Sequence, residues 1–284
     1  MTLVRVLPIL LAVCLSSGCA SLVSNAASGL SDNLTTAILN HDDPETARAG
    51  MPSYMLLMDS FVEGSPDDPA MLGAAANLYA SYGAVFANND TQASRLTRRA
   101  RDYASTAMCS AYAEACNWDS LMFEDFESSL DGVGAANADT LYTYGFTMLA
   151  YIRAHTADFN ALAELPQGEA ILTKYLELVG EDASPAAHTY LGVLKTLRPP
   201  ALGGEPEEAR FHFEKAIDLT GGRDLSAKVE FAKGYAKTMY DRELHDQLVT
   251  EVLQADPYAD GFTLMNVLAQ EEALQLAAAA NDYF

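Results

Sequence analysis

The most constraining feature of this 284-residue sequence is a pair of short segments between Pro185 and Leu219. The first carries Leu191-Gly192, and after a Pro/Gly turn the second begins Glu205-Pro206-Glu207-Glu208-Ala209-Arg210. In the second segment Ala209, Phe213 and Ala216 fall at offsets of zero, four and seven, so a helix places them on one face as small, large, small. Small residues let a neighbouring helix approach closely, and the ring between them fills the gap. A hairpin built this way cannot bury its own apolar face and must stack on others like it.

Small-large-small spacing on helical hairpins is the pattern of tetratricopeptide repeats. The fold class predicted is all-α: degenerate tetratricopeptide-repeat hairpins stacked in a compact superhelix. Other segments agree. Pro44 opens a helix behind Asp42 and Asp43 that ends at Gly64. Asp67-Asp68-Pro69 starts the next, which runs to Phe86, and Asp90 caps a third in which Ala93, Thr97 and Ala100 repeat the zero, four, seven spacing. Residues 67 to 104 thus echo 185 to 219, with Leu72-Gly73 matched to Leu191-Gly192. A short acidic helix is expected over 119–130, and the stretch from Asp139 to His155 is apolar nearly all round, hence central. Helices over 158–165 and 166–179 form a further pair. Gly221-Gly222 ends the second helix of the Leu191 hairpin through a left-handed cap. A final hairpin spans 226–237 and 241–255, and a last long helix over 261–284 is expected to cap the array. No strand alternation and no Gly/Ser-rich linker interrupts this reading, so residues 32–284 read as a single all-helical domain.

The first residues form an export signal: Arg5, then an apolar run from Val6 to Leu15 that is too short for a membrane span. Ser16-Ser17-Gly18-Cys19 resembles a bacterial lipobox, although Ser16 stands where that pattern prefers Leu. Cys14 competes, but Val13 before it is too bulky for the cleavage site. The expectation is a signal peptide over 1–18, lipidation at Cys19, and a small, polar tether over 19–31. Ala20, where an Asp would resemble an inner-membrane retention signal, points to the outer membrane.

Removing residues 1–18 takes away Arg5 and no acid, leaving 16 basic residues against 39 carboxylates, a net charge of −23. That excess argues against nucleic acid and against anionic lipid bound through a basic patch. Of four cysteines, Cys109 and Cys116 remain. Seven residues apart on a straight helix they would stand roughly 10 Å apart, beyond bridging distance. A disulfide therefore requires the helix to end between them; with Asn117 and the cap-like Asp119 close by, a disulfide stapling the helix end to the following loop is predicted, and buried free thiols are the alternative.

Catalytic chemistry finds no footing. His41, His155, His188, His212 and His245 are dispersed without a metal-ligand spacing. The glycine pairs follow helices, not strands, so they read as caps. No catalytic residue, metal site or cofactor is expected, and the chain does not read as an enzyme. What stands out is aromatic placement: fourteen Tyr against one Trp. Tyr142, Tyr144 and Tyr151 on one apolar helix, beside Trp118, are candidate ligand-binding residues lining an internal cavity; core packing is the simpler account.

Leu165-Pro166, the run from Pro200 to Ala216, Gly221-Gly222-Arg223, and Asp241-Arg242-Glu243-Leu244 with Asp256-Pro257 together resemble the TatT family. These are tetratricopeptide-repeat lipoproteins associated with tripartite ATP-independent periplasmic (TRAP) transporters. The likeness covers most of the chain after Cys19 and is strongest over 139–257. It implies a periplasmic, lipid-anchored homotrimer with a ligand-accessible channel. The implied partner is a periplasmic substrate-binding protein that receives a small hydrophobic organic acid. The competing expectation is an interaction scaffold in envelope assembly that grips peptides in its groove.

Overall fold

The computed structural model describes residues 33–284, and no strand occurs among the described residues. The signal peptide, Cys19 and the tether over 19–31 lie outside them. Side-chain caps decide where the first helices begin. α1 (Pro44–Gly64) starts behind Asp43, which accepts from the Glu45 amide, and α2 (Pro69–Val85) behind Asp68, which accepts from the amides of Ala70 and Met71. In both, proline occupies the first turn, where its missing N–H satisfies no helical bond anyway. α3 (Asp90–Ala111) is capped by Asn89, whose side chain accepts from the Gln92 amide. The cap expected at Asp90 thus sits one residue earlier, and Asp90 lies in the first turn with its charge toward the positive end of the helix dipole.

α3 ends at Ala111, between Cys109 and Cys116, and a 3-10 segment (Ala113–Ser120) folds back beneath it. The two cysteines are bonded there, with their Cα atoms 4.5 Å apart. Instead of one helix over 119–130, the chain forms this 3-10 segment and then α4 (Phe123–Asp131), broken by extended backbone at Leu121 and Met122. The break lets Trp118 turn inward, where its indole N–H donates to Ser129 Oγ at 2.8 Å.

α5 (Ala138–Ala154) is the central rod and packs on both α2 and α3. It also contacts α7 (Leu165–Val179) and α8 (Pro185–Thr196). The helix expected over 158–165 shrinks to α6 (Phe159–Ala163), because Pro166 cannot donate into a continuous ladder and a new helix starts at Leu165. α8 and α9 (Pro206–Thr220) make the hairpin read from the sequence, with Ala209, Phe213 and Ala216 all buried. Its closeness depends on Gly192: a Cβ built there would stand 2.9 Å from three carbons of the Phe213 ring. α9 ends through Gly221 in the left-handed region, with the Gly222 amide donating to Ile217 O at 2.8 Å.

The match drawn between Gly73 and Gly192 does not hold. A Cβ at Gly73 meets nothing within 4 Å, whereas one at Gly83 would lie 3.1 Å from Leu96 and Thr97. The α2–α3 hairpin is therefore close-packed ten residues further along α2 than expected, near its turn. α10 (Leu225–Glu230) runs into a π-helical stretch, Phe231–Ala236, where a plain helix was expected. α11 (Arg242–Gln254) and α12 (Thr263–Tyr283) follow. Nor does α12 simply cap an open end. It packs on α10 and α11 and reaches back to α1, and the loop before it is tied to the start of the described chain: Asn40 Nδ2 donates to Asp260 at 2.9 Å, and the Gly261 amide to Asn40 Oδ1 at 2.6 Å. Leu264 joins the cluster of Met51, Met55 and Tyr82. The stack is closed on itself, which creates clefts on both sides of the closure.

Candidate functional site

The closure leaves two clefts, and Val85 and Met265 line both, forming the partition between them. The larger, about 1220 Å³, lies among the ends of α2 and α5, the start of α3, the 155–160 loop, α10 and α12. Its floor is a ladder of ions. Arg153 Nη1 meets Glu230 Oε1 at 2.9 Å, and Lys233 Nζ meets Glu230 at 3.4 Å and Glu272 at 2.6 Å. The π-helical turn supplies Lys233, and such irregular turns recur where side chains must be re-aimed. Burial opposes both charges of the Arg153–Glu230 pair, yet their mutual attraction prevails, raising the Arg153 pKa and lowering that of Glu230. Charged lining residues number five acids (Asp90, Asp158, Glu230, Glu271, Glu272) against Arg153 and Lys233, so the cleft is acidic. At its rim Phe159 is 85% exposed.

The second cleft, about 740 Å³, is apolar and aromatic. Met51 and Tyr54 of α1, Leu78 of α2, Tyr142 and Phe146 of α5 and Tyr190 of α8 contribute to its wall. Phe146 and Tyr190 stack at 5.1 Å, and Tyr190 and Tyr142 at 6.1 Å. Burial pushes the phenol pKa of both tyrosines up, so they stay neutral. Tyr54 is 7% exposed, and its buried Oη has no hydrogen-bond partner in the protein.

The four aromatic residues singled out from the sequence do not converge on one cavity. Tyr142 lines the second cleft. Trp118 and Tyr144 are 2% exposed, pack together at 5.8 Å, and belong to the main core. Tyr151 lies under the guanidinium of Arg101, 4.8 Å from its ring centre, on the same side of α5 as Tyr144. Arg101 in turn pairs with Glu164 at 2.9 Å and Asp119 at 3.1 Å, a partly buried ionic clamp joining α3 to the loops. The helical period already separates these groups: Tyr142 and Phe146 are four apart, Tyr144 and Tyr151 seven apart, and the two pairs face opposite ways. Phe146 was thus legible as the partner of Tyr142. Tyr54 and Tyr190 carried no such signal, since only the closure brings α1 and α8 to the same cavity.

Among the described residues no group of three or more His, Cys, Asp or Glu side chains is placed to hold a metal ion. No helix among them is long and apolar enough to cross a membrane. Hairpins closed around a central helix, with an aromatic cleft backed against an acidic one, define an all-α helical-repeat protein with a sheltered, ligand-sized space. The chain belongs to the family of TRAP transporter T-components, whose model matches residues 40–284. No curated protein matches it. Membership ties the chain to a TRAP transport system and to the bacterial envelope.

Proposed function

We propose that this protein is a periplasmic lipoprotein, anchored through Cys19 and without catalysis of its own, that holds a small organic ligand with a substantial apolar part and exchanges it with a substrate-binding protein of a TRAP system. The observation that carries this reading is the aromatic cleft: its volume of about 740 Å³ lies in the range of small-molecule sites, and its walls come from α1, α2, α5, α8 and α12 of a family tied to transport. The acidic cleft behind it, with Phe159 standing out at the rim, supplies a docking face for the partner, and Val85 with Met265 is the partition a ligand would cross. The TatT resemblance adds assembly as a homotrimer, and Ala20 after Cys19 adds an outer-membrane address.

Native mass spectrometry of the purified protein tests the ligand reading. A retained small molecule is expected, and it should be lost in Ala74→Phe, which fills the cleft from α2. Retention unchanged by that substitution would move the site elsewhere. Cys19→Ser should release the protein from the membrane fraction, and light scattering of the released protein should give a trimer. The scaffold alternative gains if membrane assembly proteins, and no ligand, co-purify.

A further inference from the structure

The α8–α9 hairpin brings together two histidines that stand 24 positions apart in the sequence. The Nδ1 atoms of His188 and His212 lie 2.9 Å from each other, with ring centres 5.1 Å apart and planes inclined by 37°. One ring therefore donates its Nδ1–H to the Nδ1 lone pair of the other. Both imidazoles are half-buried, and neither lines a cleft. Phe211 stands edge-on to both, its ring centre 6.4 Å from that of His188 and 5.3 Å from that of His212, so the pair is walled on one side. Burial holds both pKa values down, with Lys215 adding to the effect at His188, and His188 and Lys195 adding to it at His212. At neutral pH both rings are thus uncharged, the form that ligates a metal.

Two nitrogens about 2.0–2.1 Å from a shared ion stand roughly 2.9 Å apart in a square-planar cis arrangement and roughly 3.3 Å apart in a tetrahedral one. The hairpin already holds the two Nδ1 atoms at such a spacing, so the rings need only turn to admit an ion, and the helices can stay where they are. The donating ring changes tautomer as the ion enters: its proton moves from Nδ1 to Nε2 through water, both Nδ1 lone pairs face the ion, and no net proton is released. Imidazoles select borderline first-row cations, copper most strongly, over Mg2+ and Ca2+, which prefer oxygen. The neighbouring charges permit this. Lys195 is already answered by Glu169 and Glu205, and Lys215 is exposed and screened by water. Exposed Glu208 stands one turn before His212 on the same face of α9, where its carboxylate favours a cation. We infer that His188 and His212 form a two-imidazole site for a borderline divalent cation, Cu2+ ahead of Ni2+ and Zn2+, and that the bound ion clamps α8 to α9. Water completes the coordination.

The test is titration of Cu2+ alone into oxidised Cys19→Ser protein at neutral pH, in excess Mg2+ to occupy surface carboxylates, read by calorimetry and by electron paramagnetic resonance. One copper per chain is expected, with a signal split by two imidazole nitrogens. His188→Gln and His212→Gln should each weaken binding about a hundredfold, the gain from joining two ligands on one scaffold, and leave the splitting of a single nitrogen at most. His41→Gln, ahead of α1, should change neither reading. Copper should raise the unfolding midpoint of the parent and of His41→Gln, and not that of the other two variants. A parent spectrum without two-nitrogen splitting would overturn the site whether or not the variants fold, and so would copper bound equally by the parent, His188→Gln and His212→Gln. Two-nitrogen copper that leaves the unfolding midpoint of the parent unchanged would overturn the clamp.

Discussion

Gly192→Ala is the sharpest probe of how the α8–α9 hairpin is held. A methyl at this position would sit 2.9 Å from Cε1, Cε2 and Cζ of Phe213, inside the distance at which carbon atoms repel. The ring has little room to yield: it is fully buried, stacked at 5.1 Å on Phe231, and faced on another side by Gly234. Overpacking of this kind costs about 1–3 kcal/mol. Alanine in a helix interior recovers about 1 kcal/mol over glycine, so the net expected loss is up to about 2 kcal/mol. Gly50→Ala is the control, an exposed position in α1 where the new methyl meets nothing within 4 Å; it should gain about 0.5–1 kcal/mol. Thermal and urea unfolding followed by far-ultraviolet circular dichroism would read the pair. At about 2–4 °C per kcal/mol for a chain of this size, the midpoints should separate by several degrees in opposite directions. Gly192→Ala unfolding at or above the parent midpoint, with Gly50→Ala behaving as expected, would refute the idea that contact between the glycine backbone and the ring sets the hairpin spacing.

Alkylating the unreduced protein should leave Cys109 and Cys116 unlabelled in mass spectrometry, and replacing both with serine should cost about 2.5 kcal/mol, the scale for so short a loop; label at either residue would overturn the pairing. Arg101→Met strands the half-buried Glu164 carboxylate and should lower stability by about 2–3 kcal/mol, with Glu164→Gln added to it restoring part of the loss; a neutral Arg101→Met would refute the clamp. His212 lies 2.9 Å from His188 across the α8–α9 hairpin, and burial first, then the charges of His188 and Lys195, hold its pKa down to about 4 against the ordinary 6.5. The unfolded chain therefore accepts a proton the folded chain refuses: stability is full above pH 6.5 and declines as pH falls from 6.5 toward 4. His212→Gln should flatten that part of the pH profile, and an undiminished decline would refute the assignment.

How much was legible before the structure depends on the range of the interactions involved. Ala209, Phe213 and Ala216, the proline-led helix starts, and the Gly221-Gly222 cap are local: backbone preference and the 3.6-residue period act within a turn or two, and the helices fall close to where the sequence places them. The one-residue error at Asn89 was a choice between two adjacent capping residues, both local, whereas the broken segment at Leu121 arose where a contact outside the helix outweighs local preference, as with Trp118 and its bond to Ser129. The mismatch of Gly73 with Gly192 has the same origin. A glycine in a helix looks alike on paper whether it faces a ring or open space, and only the neighbouring helix distinguishes them.

The candidate site lies further still from sequence reading. Composition and periodicity alone determined that the chain is all-α, that its hairpins must stack, that α5 is its centre and that its surface is strongly acidic, because each follows from the local pattern of apolar, small and charged residues. Only the tertiary structure decided that α12 returns to α1, that Tyr54, Phe146 and Tyr190 share a cavity, and that Arg153 and Lys233 face the opposite cleft. Those outcomes depend on small rotations between stacked rods, summed over the whole array; no single segment encodes the sum, so residues more than a hundred positions apart meet only once every hairpin is in place.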